Sequence, residues 1–496
     1  MVIMIGVIVL RNPMDPISNG LQSSQSATNG NYFEPLRSYD LVSPIVITNN
    51  SELADAADSG FGTWAEPFII ENKEINTVGE YSLQISNKNV PLIIRNCIFY
   101  WSTEIIASFT NVSNVIFEDT IVESGEKNGK IGALFEDADN CTIRGNSFRM
   151  MERGLRLENT NNSRVEENFF MFNGYISMEL VYTCVNNTVQ KNTVNGGNYG
   201  IFCHRSYIPS FNNISYNTCS NSYYGVRVYY SYQNNLSNNL VYGCINTGIQ
   251  IWYGNSCRVE NCTTYQNGAG ISVKGSDGCQ ILNSRSYQNT YGLALGEEAN
   301  RTRVANNTLF DNSFGIYVKL SDANNITENH VYANSVGIAL DSGSNFNQIW
   351  ENKIYNNFNS QALDDSGNNG WNSSESGNFW GDFPGRYPLV LNDGVKWLDA
   401  YQINTSESYD YFPLVLNTQP VISLNYNQTF YENDPNQSIE WIILDATTFN
   451  AFIILYVNGI LQLSAPWVSG STGFGVDFNA IKPGEYNYTL EFNDGL

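Results

Sequence analysis

Polar and apolar residues alternate in short bursts along most of this chain, and the bursts recur. Aligned on a glycine followed by an apolar, a free and a second apolar position, glycines fall at 132, 154, 200, 225, 248, 270, 292, 315 and 337, with Tyr175 standing in between Gly154 and Gly200. From Gly248 to Gly337 the spacings are 22, 22, 23 and 22 residues, a period typical of solenoids. Within each unit the apolar pairs alternate, as in Ile249 and Ile251, Ile271 and Val273, Leu293 and Leu295, or Ile316 and Val318. A period of two with β-branched residues predicts strands, and no unit carries a helical stripe. The elements predicted are therefore stacked β-coils. Each coil completes the hydrogen bonds and core of its neighbours, so none has to fold alone.

Two further series run in step with the glycines. Asn recurs at 146, 168, 192, 217, 239, 261, 283, 307, 329 and 352. Stacked amides roughly 4.8 Å apart would hydrogen-bond along the array, and Asn also tolerates the left-handed backbone of a sharp turn. Tyr265, Tyr287, Phe310, Tyr332 and Tyr355 form an aromatic series of the same kind.

These units resemble those of NosD-like right-handed parallel β-helix proteins, also described as carbohydrate-binding and sugar-hydrolase repeats, of archaeal cell-surface type. The segment "GFGTWAEPFIIENKEI" from Gly60 resembles the start of such helices, and "ALDDSGNNGWNSSESGNFWGDF" from Ala362 resembles their closing segment. The resemblance implies an all-β fold: a right-handed parallel β-helix (solenoid). One fold hosts many functions, so it implies little about activity.

The chain divides accordingly. Residues 1–40 read as an apolar leader, "MVIMIGVIVL", and a flexible linker; 41–89 as the N-terminal cap of the helix; 90–359 as coils; and 360–417 as the closing cap and linker. In the closing cap, Trp371, Phe379 and Trp380 are available to cover the open apolar end. Past Gln419 the repeat ends. Turn signals at "ENDPN", Asn458-Gly459, Lys482-Pro483-Gly484 and Asn493-Asp494-Gly495 resemble a small immunoglobulin-like β-sandwich over 418–496, truncated or completed by a strand from elsewhere.

Charge narrows the choice of partner. Lys+Arg total 25 against Asp+Glu 48, a net charge of −23, which repels phosphates and argues against nucleic acid. The leader and the Asn-x-Ser/Thr triplets at Asn111, Asn140, Asn213, Asn261 and Asn325 fit an extracellular or cell-surface glycoprotein. Nine cysteines without a CxxC pair read as buried thiols, with a Cys257–Cys279 bridge left open because the two lie one period apart.

Alternation also predicts which side chains point outward. One column reads Glu136, Glu158, Glu179, His204, Tyr229, Trp252 and Lys274, and a second reads Arg156, Ser177, Phe202, Arg227, Gln250 and Ser272. Three stacked carboxylates would repel and call for a cation or a raised pKa. Phe202, Tyr229 and Trp252 offer faces for sugar rings, with Glu136, His204, Arg227 and Lys274 as polar contacts.

The leading expectation is a secreted or surface β-helix that binds a polysaccharide or surface glycan without turnover, with an envelope partner for the immunoglobulin-like domain. An exported polysaccharide lyase or glycoside hydrolase is the alternative, with Glu158 and Glu179 as paired carboxylates and Arg156 as the neutralising charge. A structural stalk, its outer face merely solubilised by ion pairs, is the plainest reading. The signature motifs of pectin-degrading hydrolases are absent. The NosD-like resemblance brings an association with copper, but two His and no Met cluster argue against it. If a cation binds, calcium at the oxygen cluster of Asp364, Asp365 and Asn368 is the candidate.

Overall fold

The computed structural model describes residues 2–11, 39–124, 130–393, 395–403 and 407–415, and beyond them strands and short connections within 421–493. The chain forms two compact units, of which the larger comprises residues 35–390 and 399–413. The linker expected over 12–38 and the turn at "ENDPN" lie outside the described residues.

The larger unit is a parallel β-helix with three sheets of 13, 14 and 15 strands, each strand pairing with its counterpart one turn away. At roughly 4.8 Å per turn the stack is roughly 60 Å long. The 14-stranded sheet carries the longest strands, among them Arg153–Glu158, Ile176–Val181, Tyr199–His204, Tyr224–Tyr229, Thr247–Trp252, Ala269–Lys274 and Tyr291–Gly296. Inward residues of this sheet, such as Ile249, Ile251, Val228 and Leu157, are fully buried. The apolar pairs of the repeat are thus the core.

The repeated glycine has a steric cause. A Cβ on Gly270 would lie 2.7 Å from the Gly292 carbonyl oxygen and 2.0 Å from Ser286 Oγ, so the turn packs backbone against backbone there. Gly154 faces not Tyr175 but Ser177, whose carbonyl oxygen would meet a Gly154 Cβ at 2.5 Å. Ser177 is itself fully buried, so its expected outward position is corrected.

The Asn series is a hydrogen-bonded ladder, with two corrections. Asn217 shows the unit of it: its Nδ2 donates to Val189 O at 2.9 Å and Asn239 Oδ1 at 3.1 Å, while its Oδ1 accepts from Asn192 N at 3.0 Å. The first correction is that Cys262 and Ser284 occupy the buried ladder positions, whereas Asn261 and Asn283 precede them. The second concerns the left-handed turn: it falls on the residue before each ladder amide, at Glu167, Lys191, Tyr216, Asn238 and Glu351 among others. A buried amide and a turn residue are separate jobs done by adjacent positions. The aromatic series stacks as expected, with ring centroids 5.1 Å apart for Tyr265–Tyr287, 4.9 Å for Tyr287–Phe310, 5.3 Å for Phe310–Tyr332 and 5.0 Å for Tyr332–Tyr355. All nine cysteines are buried and free, so Cys257 and Cys279 are not bridged.

The C-terminal end of the helix is closed by aromatic side chains. Trp371 and Trp380 are buried, and Trp380 stacks on Tyr401 at 4.1 Å between ring centroids. Two buried carboxylates hold this cap: Asp410 accepts from Asn378 N at 2.6 Å and Trp380 Nε1 at 2.8 Å, and Asp364 accepts from Trp371 Nε1 at 3.0 Å.

The smaller unit contains a three-stranded sheet of Val421–Leu424, Ser438–Leu444 and Gly473–Asp477, and a five-stranded sheet. In the latter, Val2–Arg11 runs antiparallel to Gly484–Asn493, from Val2 opposite Phe492 to Leu10 opposite Gly484. The apolar segment Val2–Arg11 is thus paired as a strand.

Candidate functional site

The outward face of the 14-stranded sheet carries three columns, set by strand register. The central one runs Leu134, Arg156, Glu179, Phe202, Arg227, Gln250, Ser272, Ala294 and Tyr317. Beside it run Glu136, Glu158, Val181, His204, Tyr229, Trp252, Lys274, Gly296 and Lys319. Glu179 therefore belongs with Arg156 and not above Glu158, which corrects the expected stack of three carboxylates. The cause is the Ser177 turn, two residues later than the Tyr175 alignment placed it.

The shift brings opposite charges together. Arg156 Nε and Nη2 donate to Glu158 Oε2 at 3.0 and 2.8 Å, and its Nη1 donates to Glu179 Oε2 at 3.2 Å. Arg153 Nε lies 3.3 Å from the same Glu179 oxygen, and His204 Nε2 lies 2.8 Å from Glu179 Oε1. Burial pushes the Glu179 carboxyl up, but the His204 hydrogen bond and the Arg156 and Arg153 charges override it and hold it below the usual carboxylate range. A carboxylate so neutralised and 3% exposed is a weak base. Glu136, the register neighbour of Glu158, accepts from Thr110 Oγ1 at 3.3 Å.

Next along the face lies an aromatic group. His204 stacks on Phe202 at 4.0 Å, Phe202 on Tyr199 at 4.4 Å, Tyr199 on Tyr224 at 5.4 Å, and Tyr229 tilts against Trp252 at 5.4 Å. Arg227 sits among them, its guanidinium carbon 4.4 Å from the Tyr224 ring centroid, 4.9 Å from Trp252 and 5.2 Å from Tyr229. Structure and expectation agree that Phe202, Arg227, Tyr229 and Trp252 share one face. Tyr199 and Tyr224 were missed. They form a third outward column immediately before the aligned glycines, and the signal was present in the repeated Tyr-Gly pairs at 199–200, 224–225 and 291–292.

Beyond Trp252 the outward side chains shrink to Ser272, Ala294 and Gly296, and the face sinks into a cleft of about 680 Å³. Gln250 lines one end and Tyr317 and Lys319 the other, with Lys274 within it. Lys274 pairs with Glu297 at 2.9 Å and Tyr317 donates to Asp341 at 2.9 Å, so the rim is cross-linked by side chains. Aromatic patch and cleft adjoin, because Gln250 and Lys274, which line the cleft, pair in register with Arg227 and Trp252 of the patch.

The calcium candidate fares differently. Asp364 is 1% exposed, and besides Trp371 its oxygens accept from Ser408 Oγ at 2.9 Å, Asn369 Nδ2 at 2.9 Å and Gly367 N at 3.1 Å. It is turned inward as a cap ligand, while Asp365 is exposed and Asn368 Nδ2 donates to Asn345 at 3.1 Å. Among the described residues no group of three or more His, Cys, Asp and Glu is disposed to hold a metal. Copper does not fit these donors: His204 and His330 stand in different sheets, and Cys203, adjacent to His204, is buried on the opposite face.

Comparison with known proteins agrees with this fold. Residues 45–208 and 81–241 match the family described as "Right handed beta helix region", and residues 210–385 match "Periplasmic copper-binding protein (NosD)". It is a NosD-like right-handed parallel β-helix protein. No curated protein matches the chain in sequence. Among solved structures, the A-module of a mannuronan C-5 epimerase from Azotobacter vinelandii is 14% identical, with a TM-score of 0.46 over 60% of this chain and 95% of that one. An E. coli bacteriophage tailspike protein in complex with a pentasaccharide is 11% identical, with a TM-score of 0.38 over 86% and 81%. DFA-IIIase from Arthrobacter chlorophenolicus in complex with DFA-III is 12% identical, with a TM-score of 0.31 over 61% and 78%. Among the described residues of this NosD-like chain, no helix is long and apolar enough to cross a membrane.

Proposed function

We propose that this protein is an extracellular or cell-surface β-helix that binds a glycan along the outward face of its 14-stranded sheet, without catalysis. The observation that carries this reading is the contiguous run of rings Tyr199, Phe202, Tyr224, Tyr229 and Trp252, held in register over successive turns and opening into the cleft above Ser272, Ala294 and Gly296. Sugar rings present C–H faces that pack on aromatic faces and hydroxyls that need polar partners, and the site supplies both. A strand spacing of roughly 4.8 Å is close to the rise of one sugar unit in an extended chain, so a linear polymer can follow the columns.

Glycan-array and affinity-electrophoresis measurements on the full chain test this. Tyr229→Ala combined with Trp252→Ala should weaken binding about 10-fold or more, since buried aromatic anchors dominate such interfaces. Unchanged binding would remove the groove.

A second reading has its own observation, the contact chain from Glu158 through Arg156 to Glu179 and His204. If the face is catalytic, Glu179 and His204 are the groups for proton transfer and Arg156 offsets substrate charge. Incubation with neutral and acidic polysaccharides, with and without calcium, separates the readings: shortened or unsaturated products that vanish in Glu179→Gln would establish catalysis, and none are expected.

A further inference from the structure

We infer that the glycan recognised at this face carries a carboxylate, and that Arg227 is the residue that reads it. The inference rests on the glycan-binding reading above and adds its substrate class: an acidic, uronate-type sugar.

The ground is an unmet cation. Among the described residues Arg227 has no carboxylate partner, whereas its neighbours Arg153, Arg156 and Lys274 are each paired with a glutamate. Among the described residues its one hydrogen bond is from Nη1 to the Tyr199 hydroxyl at 3.1 Å. Arg227 is 6% exposed, and its Nε is buried without any acceptor. Leaving a buried charged donor unsatisfied costs free energy that an arriving anion would restore.

Two more unmet atoms lie next to it. Gln250, directly across from Arg227 in register, is 3% exposed with its Oε1 unbonded, and Trp252, across from Tyr229, has an unbonded Nε1. One charged fork, one indole donor and one amide acceptor make a mixed set. A carboxylate accepts from the guanidinium, and rotation of the Trp252 and Gln250 side chains on binding brings the indole N–H to the same carboxylate and Gln250 Oε1 to a sugar hydroxyl that donates to it. Tyr224, Tyr229 and Trp252 ring the guanidinium and leave the sugar ring an apolar seat. A neutral sugar would leave the Arg227 charge met only by the surrounding ring faces, without an anion. Gln250 also lines the cleft, so the acidic unit sits where the aromatic patch passes into it.

The net charge of −23 opposes long-range attraction of polyanions, so recognition must come from contact at this one desolvated cation and not from steering. The site is therefore selective among acidic polymers and unlike a basic patch.

The test compares polygalacturonate, the same polymer with its carboxyls reduced to alcohols, and dextran sulfate, by isothermal titration with the full chain. The expected result is that polygalacturonate binds about 10-fold or more tightly than its reduced form, and that Arg227→Gln abolishes this preference, bringing the two affinities together. The two-polymer comparison on the unaltered protein decides the matter even if Arg227→Gln fails to fold. Equal affinity for both forms overturns the carboxylate assignment while leaving the glycan reading intact. A preference for dextran sulfate overturns it in favour of a sulfate ester. Binding of no polymer here, together with no hit on a glycan array, overturns the glycan reading itself.

Discussion

Arg156 and Glu179 face each other across neighbouring turns, with Nη1 3.2 Å from Oε2. Because Arg153 and His204 also converge on Glu179, this carboxylate is the hub of the charged end of the face. Removing one partner of a buried ion pair strands the others, so Glu179→Ala should lower the free energy of unfolding by about 3–5 kcal/mol. Glu158, whose side chain is 19% exposed and held by Arg156 alone, should cost about 1 kcal/mol on the same change. Chemical denaturation of the two variants measures the difference, and equal losses would contradict the register given for this turn.

A second expectation concerns the ladder defect. At Cys262 the amide series is interrupted: Asn239 Nδ2 keeps its bond to Ile214 O at 2.8 Å, but along the ladder it meets the Cys262 sulfur, at 3.9 Å, where intact turns offer an amide oxygen. Cys262→Asn should restore the ladder and raise stability by about 1 kcal/mol, whereas Asn217→Ala, which breaks an intact stretch, should lower it by about 1–3 kcal/mol. Loss of stability in Cys262→Asn would show that the turn cannot accept the larger side chain.

The glycine series makes a steric prediction. Gly270→Ala sets a methyl against the Gly292 carbonyl and Ser286 Oγ, and overpacking of this kind costs about 1–3 kcal/mol. Gly196→Ala, where a Cβ meets nothing within 4 Å but φ is +91°, should be destabilising through backbone strain alone, by about 1 kcal/mol. Thermal unfolding curves of the two variants test whether crowding outweighs strain.

Acidity acts on Asp410, in the closing cap, and on Glu179, within the coils, with opposite sign. Burial raises Asp410 from 3.8 to about 6, despite hydrogen bonds from Asn378 and Trp380. The folded state therefore holds that proton more tightly than the unfolded state, and stability from this group is lost as pH rises from about 4 through 6. Glu179 is lowered, so its contribution is present above the ordinary carboxylate range and is lost as pH falls through it. Unfolding midpoints between pH 3 and 8, on the order of one unit apart, should show Asp410→Asn removing the decline toward pH 6 and Glu179→Gln removing the acid-side loss.

Much of this was legible because the array repeats its own solution. The glycines mark where backbone packs on backbone, the tyrosine series stacks with spacings near 5 Å, and each needed only the period to be recognised. The misplacement at one turn was physical in origin. Gly174-Tyr175 mimics the glycine signal, yet the close-packed position is Ser177, small enough to serve in its stead. A shift of two residues left Glu179 on the outward face but in another column, so it changed neighbours without changing face, whereas Ser177 left the face for the close-packed position. The ladder errors at Asn261 and Asn283 arose because Asn suits both the buried amide and the left-handed turn beside it. The cleft left almost no trace in the sequence, since it is made by what Ser272, Ala294 and Gly296 lack. Asp364 looked like an exposed oxygen ligand because nothing in the local sequence shows that the chain folds back to set Trp371, and Ser408 from further along, against it.

The most direct test of the central claim is a crystal structure of the protein soaked with an acidic oligosaccharide. Density is expected over Phe202, Tyr229 and Trp252, with a carboxylate against Arg227 and the chain continuing into the cleft above Ser272 and Ala294. An oligosaccharide bound on either of the other two sheets, with this face empty at saturating concentration, would contradict the account.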